Sequence, residues 1–267
     1  MTFPADHPDH PDHPDHPDLP NPPDGMLDRL AADHPYPRAF VTVSGAHLYG
    51  FPSKDSDVDL RGVHLLPLEE IVGLEPGRET VTLMWDHAGV EADAVTHDLA
   101  KFCALLLRRN GYVLEQVMSP LVVATSPVHD ELRALVPGLV TSNHAHHYLG
   151  FARTQWNLFD RTNELKPLLY TFRVLLTGIH LMRTGEIEAD LTRLAGEGGP
   201  YLPELIEAKR AAEHGALPAD APAKSRLQDD VAALTARLEA ERDRSDLPAV
   251  PENRRAVHDL VVRTRIR

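Results

Sequence analysis

Two aspartates separated by one residue, Asp57 and Asp59, are the part of the sequence best suited to chemistry. Alternate side chains of a β-strand point to the same side, so the two carboxylates are expected to project together while Val58 and Leu60 are buried behind them. Adjacent carboxylates repel unless a cation lies between them, and hard oxygen ligands favour Mg²⁺ or Mn²⁺. Taken alone, however, an Asp-x-Asp pair is more often a solvated strand end or a loop.

The residues around the pair favour the metal-binding interpretation. An apolar run ends at Val43 and is followed by the turn-forming Ser44 and Gly45. A glycine turn at this place can bring backbone N–H groups close to phosphate oxygens. The candidate phosphate contacts of this turn and of the polar loop after it are Ser44, Gly45, Ala46, His47 and Ser56. His47 is equally suited to fixing the loop against Tyr49.

A small set of strands must position these residues. Alternating and β-branched apolar residues predict strands, and turn-forming residues separate the last two as a hairpin. The predicted strands are Ala39–Val43, Asp57–Leu66, Glu79–Trp85 and Val90–Thr96.

Helices are predicted for most of the remaining chain. The spacing of Leu99, Phe102, Cys103 and Leu106 predicts a helix over 98–109, and Gly111 stands where its C-terminus is expected. Further helices are predicted over Pro127–Val136, Asn143–Glu164, Pro167–Arg183, Pro203–Glu213 and Lys224–Arg242. The sequence thus predicts an α+β fold, with a small mixed β-sheet domain over 36–126 followed by a helical domain over 127–267.

Composition excludes several classes of protein. The 267 residues include one cysteine, Cys103, which rules out an internal disulfide framework and fits a reducing compartment, so the cytoplasm is the expected location. No apolar run is long enough to cross a bilayer. The formal net charge of −13 disfavours a general nucleic-acid coat protein, because nonspecific affinity for phosphate chains comes from clustered lysine and arginine. Any nucleic-acid contact must therefore be local.

The first 35 residues are predicted to be a disordered tail. The triplet Asp-His-Pro occurs four times between Asp6 and Pro17, and few apolar residues accompany it. Regular proline favours an extended polyproline II conformation, and little apolar surface is present to offset the entropy of ordering. The aspartates of this tail also supply a good part of the acidity of the chain.

The stretch from Ser44 to Val63 resembles the signature of the DNA polymerase β nucleotidyltransferase superfamily, which is a strand, a Gly-Ser turn and an Asp-hydrophobic-Asp motif. With Lys101-Phe102, Asn110 and Leu114-Glu115 downstream, the chain is similar to the predicted nucleotidyltransferases associated with RNA-repair ligases, the RlaP family. This resemblance spans residues 40–190. One difference is Gly45-Ala46, where the superfamily has Gly-Ser.

The resemblance implies a metal-dependent enzyme with a third carboxylate on a neighbouring strand. Glu91 and Asp93 are the two possibilities, and the order of the motifs favours Asp93. Asp57, Asp59 and Asp93 would then hold two Mg²⁺ or Mn²⁺ ions while a hydroxyl attacks the α-phosphorus of a nucleoside triphosphate such as ATP. Arg61 is expected to point away from this pair and to bind a structural carboxylate.

The helical domain is expected to supply further nucleotide contacts. Lys166, Tyr170 and Arg173 are spaced so that one helix face carries two cations around an aromatic ring. The resemblance supports this set as a triphosphate and base platform, while a solvated basic helix face is nearly as good an interpretation.

Three functions remain open at this stage. The resemblance favours transfer of a nucleoside monophosphate to an RNA or tRNA end in RNA repair, with an RNA ligase as a possible partner. The alternatives are nucleotidylation of a protein or small molecule, and an inactive nucleotide-binding protein. A basic RNA-binding patch would separate the first from the second, and its candidates are Arg254, Arg255, Arg263, Arg265 and Arg267.

Overall fold

The fold is given by a computed structural model that describes residues 30, 33–53, 56–87, 90–211 and 215–266. Nearly all of the predicted tail, the middle of the polar loop at Lys54 and Asp55, and the tip of the predicted hairpin lie outside the described residues.

The sheet has five strands in the order β3-β4-β2-β1-β5. These are β1 (Arg38–Val43), β2 (Val58–His64), β3 (Thr80–His87), β4 (Val90–Asp98) and β5 (Val122–Ala124). β2 and β4 are parallel, and the other neighbouring strands are antiparallel. The sheet is therefore mixed, with β2 at its centre. The four predicted strands are confirmed, and β5 is an additional edge strand that the sequence analysis missed.

Helices make up most of the rest of the described chain. They are α1 (Gly45–Leu48), α2 (Glu69–Val72), α3 (Leu99–Leu106), α4 (Gly111–Met118), α5 (Pro127–Leu135), α6 (Ala145–Thr162), α7 (Leu165–Thr184), α8 (Leu191–Leu194), α9 (Leu202–Ala211), α10 (Lys224–Arg244) and α11 (Arg254–Arg265). No helix in the described ranges is both long and apolar enough to span a membrane. The predicted α+β fold class, a small mixed sheet followed by helices, is confirmed.

Local sequence explains where α3 and α4 begin. The Asp98 carboxylate accepts a hydrogen bond from the backbone of Ala100 at 2.9 Å and so caps α3. The Asn110 side chain caps α4 in the same way through the backbone of Tyr112 at 3.1 Å. The prediction that Gly111 ends the first of these helices is wrong, because Gly111 begins α4. A glycine is needed there since a Cβ would lie 2.6 Å from Cζ of Tyr148.

Some helices pack around α7, and others pack on the sheet. α7 is buried along most of its length between α6 and α10, whereas α4 and α5 cover the sheet. α11 returns from the end of the described chain to pack on α3 and α5. Its Arg265 donates to the backbone oxygen of Leu66 at 2.8 Å and also binds the Asp98 carboxylate. The predicted division of the chain at residue 126 stays a prediction, although two helices beyond it belong to the sheet side by packing.

Candidate functional site

Asp59 and Asp93 lie side by side at the centre of the sheet. Parallel pairing of β2 with β4 places Asp59 in register with Asp93, so both side chains project from the same side. Their side chains are 31% and 34% exposed. The structure thus pairs Asp59 with Asp93 and leaves this pair open to solvent, whereas the predicted partner on the same strand, Asp57, lies just before β2.

The register also separates the two candidates for the third carboxylate. Ala92 pairs with Val58, the first residue of β2, so Glu91 lies beyond the end of that strand. Glu91 pairs instead with Asp86 on β3 and is exposed. The geometry therefore favours Asp93 over Glu91, and its catalytic role stays a prediction.

Arg61 joins the two carboxylates. Its Nη2 donates to Oδ1 of Asp59 at 2.7 Å and to Oδ2 of Asp93 at 3.1 Å. The expectation that Arg61 points away from the pair is wrong, because residues 59 and 61 are two apart on one strand and share a face. The alternation along β2 was the signal that could have identified this contact from the sequence.

The remaining donors of Arg61 are also used. Nη1 donates to the backbone oxygens of Leu60 and Asp93, each at 2.8 Å, and Nε donates to the Tyr112 hydroxyl at 3.4 Å. Burial lowers the pKa of Arg61, but Tyr112, Asp59 and Asp93 outweigh that effect and raise it overall. Arg61 is consequently a fixed cation within the site.

Asp59 is at the electrostatic centre of this group. Burial raises its pKa above the ordinary value for aspartate, the positive charge of Arg61 opposes that rise, and Asp93 adds to it. Lys166 also lowers the pKa of Asp59, and Asp57 raises it. Both residues are therefore close enough to act on the Asp59 charge. Asp57 itself precedes β2 and is exposed.

The glycine turn is built against Asp59. Gly45 has a φ of 64°, which side-chain-bearing residues rarely adopt, and a Cβ there would lie 2.8 Å from Cγ of Asp59 and closer still to Oδ2. The backbone N–H of Ser44 donates to the Asp59 carbonyl at 2.8 Å. Only glycine at this position allows the Asp59 carboxylate to lie against the turn.

The other predicted phosphate contacts lie near the turn, but their side chains are buried. Ser44, Ala46, His47 and Ser56 are each at most 9% exposed. The Ser44 hydroxyl has no hydrogen-bond partner in the described part of the chain. The Ser56 hydroxyl is 2.9 Å from that of Ser53. A role for this set in nucleotide binding stays a prediction.

The first two residues of the predicted nucleotide platform on α7 lie beside the turn. Lys166 is half-buried and acts on the charge of Asp59. The Tyr170 ring packs edge-on against the rings of Tyr49 and Phe51, with centroid distances of 5.4 and 5.6 Å. The N-terminal half of α7 therefore faces the segment that follows Gly45.

Arg173, the third residue of the predicted platform, is buried. It is 2% exposed, its Nη1 donates to Glu115 on α4 at 2.8 Å, and its guanidinium lies 3.8 Å from the centre of the Tyr49 ring. For Arg173 this burial rules out the alternative interpretation, a solvated basic helix face. Its pairing with Glu115 disfavours the predicted contact with a triphosphate, which stays a prediction. Its direct contacts instead link α7 to α4 and to the turn segment.

The cavity beside α1 is separate from the carboxylates. It has a volume of about 210 Å³, and none of Asp57, Asp59 and Asp93 is among the described residues that line it. Three acidic residues, Glu115, Glu188 and Asp190, do line it. Arg193 also lines the cavity and pairs with Glu188 and Asp190. Because the cavity does not reach the three aspartates, the open sheet face remains the better candidate site.

The carboxylates suit a hard divalent cation by their chemistry, because Asp57 is exposed and Asp59 presents a second carboxylate to solvent. Among the described residues, no group of three or more His, Cys, Asp and Glu side chains is placed to hold a metal ion. The Arg61 guanidinium gives a physical reason, since it already joins Asp59 and Asp93. The two-metal set of Asp57, Asp59 and Asp93 thus stays a prediction.

The arginines proposed as an RNA patch are mostly paired within the protein. Arg255 binds Asp259 at 3.1 Å, Arg263 binds Glu131, and Arg265 binds Asp98. Arg267 lies outside the described residues. The contacts of Arg263 and Arg265 hold α11 against the rest of the protein, whereas Arg255 and Asp259 lie on the same helix.

Comparison with known proteins identifies the family. A family model described as RlaP, an RNA repair pathway DNA polymerase beta family, matches residues 22–263. The chain belongs to this family. Membership confirms the resemblance drawn from Ser44 to Val63, and it supports a nucleotidyltransferase-like role in an RNA repair pathway.

Two individual proteins are also similar. An uncharacterized protein of the archaeon Methanocaldococcus jannaschii is 31% identical over 159 residues, which are 57% of this chain and 63% of that protein. The match therefore spans less than two thirds of the relative's length. A solved structure titled a nucleotidyltransferase-like protein, from Exiguobacterium sibiricum, is 14% identical and covers 82% of this chain and 72% of that one, with a TM-score of 0.31. A TM-score this low does not establish that the RlaP chain and this structure share a fold or a function.

Proposed function

We propose that this protein transfers a nucleoside monophosphate from a nucleoside triphosphate to a hydroxyl group, and that the acceptor is an RNA or tRNA end. The observation that carries this proposal is the alignment of Asp59 with Asp93 on parallel strands, against the turn at Gly45. Family membership supports the RNA repair context of the acceptor.

The transfer is an in-line displacement. The acceptor oxygen forms a bond to the α-phosphorus, the bond from that phosphorus to the pyrophosphate oxygen breaks, and pyrophosphate leaves with its electron pair. The Asp93 carboxylate takes the hydroxyl proton and passes it to solvent, to which it is 34% exposed. Lys166 stabilises the phosphate charge from the side of α7.

A divalent cation is part of this proposal. Mg²⁺ or Mn²⁺, when bound, neutralises the triphosphate and favours departure of pyrophosphate. Asp57 and Asp59 are the residues that would hold it, because Asp57 is exposed and Oδ2 of Asp59 is not among the oxygens that bind Arg61.

A second acceptor class is favoured by one observation. Arg255, Arg263 and Arg265 bind carboxylates of the same chain, so they offer little uncommitted positive charge to an RNA backbone. A protein or small-molecule hydroxyl would not need such a surface. RNA remains the leading proposal because the family description names an RNA repair pathway.

Labelled triphosphates provide the test. Each α-labelled nucleoside triphosphate is incubated with the full chain, Mg²⁺ or Mn²⁺, and total RNA, and the label is followed in RNA, protein and small-molecule fractions. We expect label in RNA for the wild type, and a loss of at least about 100-fold for Asp59→Asn, since several kcal/mol of charge stabilisation is removed. Circular dichroism checks the fold of the variant. Transfer by Asp59→Asn at the wild-type rate would reject the assignment, and label in the protein fraction would favour the second acceptor class.

A further inference from the structure

The guanidinium of Arg61 has an acceptor for every N–H that it carries. Arginine has five donors in a fixed planar fork. Two from Nη2 meet the Asp59 and Asp93 carboxylates, two from Nη1 meet the carbonyls of Leu60 and Asp93, and Nε meets Tyr112. The side chain is only 13% exposed. Arg61 is therefore built into the site and is not a surface arginine that swings freely.

Its position is the one that a bridging metal ion would need. A cation shared by Asp59 and Asp93 must lie between their facing oxygens, and Nη2 already lies there, at 2.7 and 3.1 Å. A divalent ion added at the same place would meet a like charge at short range. It would also have to break charge-assisted hydrogen bonds, which are among the stronger ones in proteins.

The charge of the group leads to the same conclusion. Three carboxylates and one guanidinium leave two negative charges, which one divalent ion neutralises. The site with the least competition is formed by Asp57 and by Oδ2 of Asp59, which faces the turn at Gly45. Lys166 supplies one further positive charge near Asp59 for the nucleotide.

We propose that Arg61 takes the place of one of the two metal ions expected for this superfamily, so that the protein binds a single divalent cation with its nucleotide. The proposal rests on the nucleotidyltransferase function proposed above. Arg61 acts here as a positioning residue that holds Asp59 and Asp93 at a fixed separation.

Counting bound Mn²⁺ tests the proposal. The full chain is saturated with a non-transferable ATP analogue in which a methylene group joins the α- and β-phosphorus, and bound Mn²⁺ is titrated by electron paramagnetic resonance. We expect one ion per chain for the wild type and two for Arg61→Gln, in which the cation between Asp59 and Asp93 is lost. Arg255→Gln is the matched control, because it removes an exposed arginine that is paired across one turn of α11, and it should bind one ion.

Two ions in the wild type would overturn the proposal, as would a single ion in a folded Arg61→Gln. If Arg61→Gln does not fold, the number of Mn²⁺ ions bound by the wild type alone tests the proposal. Transfer activity is measured on the same wild-type preparation. Two bound ions in an active enzyme would reject only the role of Arg61, whereas no bound ion and no transfer would reject the proposed function as well.

Discussion

Arg61 and Arg173 each bind carboxylates next to the segment 45–49, but they do so in opposite surroundings. Arg61 holds Asp59 and Asp93, whose side chains are 31% and 34% exposed. Arg173 holds Glu115, and the two side chains are 3% and 1% exposed. The open group leaves carboxylate oxygens that a ligand can reach. The closed pair has no such access, and its effect is confined to packing α7 against α4 and Tyr49.

The difference shows how one residue type serves two purposes. In the closed pair, taking both charges out of water carries a large cost that the attraction between them must offset. Burial lowers the pKa of Arg173, and Glu115 and Tyr49 more than reverse that effect, so the charge is maintained. In the open group, water still reaches the two carboxylates and screens part of their charge. Three experiments would sharpen or break this comparison.

Removing one member of the closed pair should have the largest effect on stability. Glu115→Ala leaves the Arg173 charge buried without its partner, and we expect the free energy of unfolding to fall by about 3–5 kcal/mol in urea titrations. The control is Arg255→Ala, whose partner Asp259 is on the surface, and it should cost under about 1 kcal/mol. Replacing both members, as in Glu115→Leu with Arg173→Met, should recover much of the loss. Equal losses for Glu115→Ala and Arg255→Ala would contradict the contrast between closed and open pairs.

Acid should destabilise the protein through His64, a buried histidine that carries no charge at neutral pH. His64 is fully buried on the face of β2 opposite Asp59, where Nδ1 is 2.8 Å from the Thr96 hydroxyl and Nε2 donates to the Arg78 carbonyl at 2.9 Å. Burial lowers the pKa of His64 from 6.5 to about 4, and nearby His34 adds to this effect.

The direction of the pH effect follows from that lowered pKa. The unfolded chain binds a proton at His64 below about pH 6.5, while the folded protein resists it down to about pH 4. Stability from this residue is complete above pH 6.5 and falls by up to about 3 kcal/mol as pH drops to 4. Urea midpoints of wild type and His64→Asn between pH 7.5 and 4.5 give the measurement. The variant should lose less stability than the wild type over this range, and parallel losses would show that His64 is not the titrating group.

The smallest loss of stability is expected at the turn, where the effect on activity is larger. Gly45→Ala forces a side-chain-bearing residue into left-handed backbone geometry, which costs about 1–2 kcal/mol, and the new Cβ displaces the Asp59 carboxylate. Moving a catalytic group by about 1 Å can lower a rate by about 100-fold, so we expect a loss of that order in the transfer rate. Gly150→Ala on α6 is the control, because its Cβ would meet nothing within 4 Å, and it should stabilise the protein by about 0.5–1 kcal/mol. Unchanged activity in Gly45→Ala would mean that the turn does not position Asp59.

The sequence was sufficient for the strands that carry Asp59 and Asp93 because their pattern is local. Alternation around Val58 and Leu60 predicts both the strand and the face of Asp59. The hairpin pattern predicts β4, and the resemblance to the family then favours Asp93 on it. Parallel pairing then brings the two aspartates into register. Periodicity also predicted the long helices, whose buried faces repeat regularly.

What the sequence could not predict depends on contacts between distant segments. The burial of Arg173 follows from a bond to Glu115, 58 residues away, and no spacing within α7 distinguishes it from an exposed arginine. α4 was missed because Gly111 was interpreted as the end of a helix, while its lack of a side chain makes room for the Tyr148 ring. The arginines of α11 were interpreted as a candidate RNA-binding patch. Three of them bind carboxylates of the same chain, at Asp98, Glu131 and Asp259.

The bond between Arg265 and Asp98 has a consequence for synthesis of the protein. It joins residues 167 positions apart, and it closes α11 over the helix that Asp98 caps. A ribosome must therefore produce all of α6 to α10 before α11 can pack on α3 and α5. Chains emerge at only about 5–20 residues per second, and long-range contacts form late. During those seconds the surfaces of α3 and α5 that α11 covers are exposed to solvent.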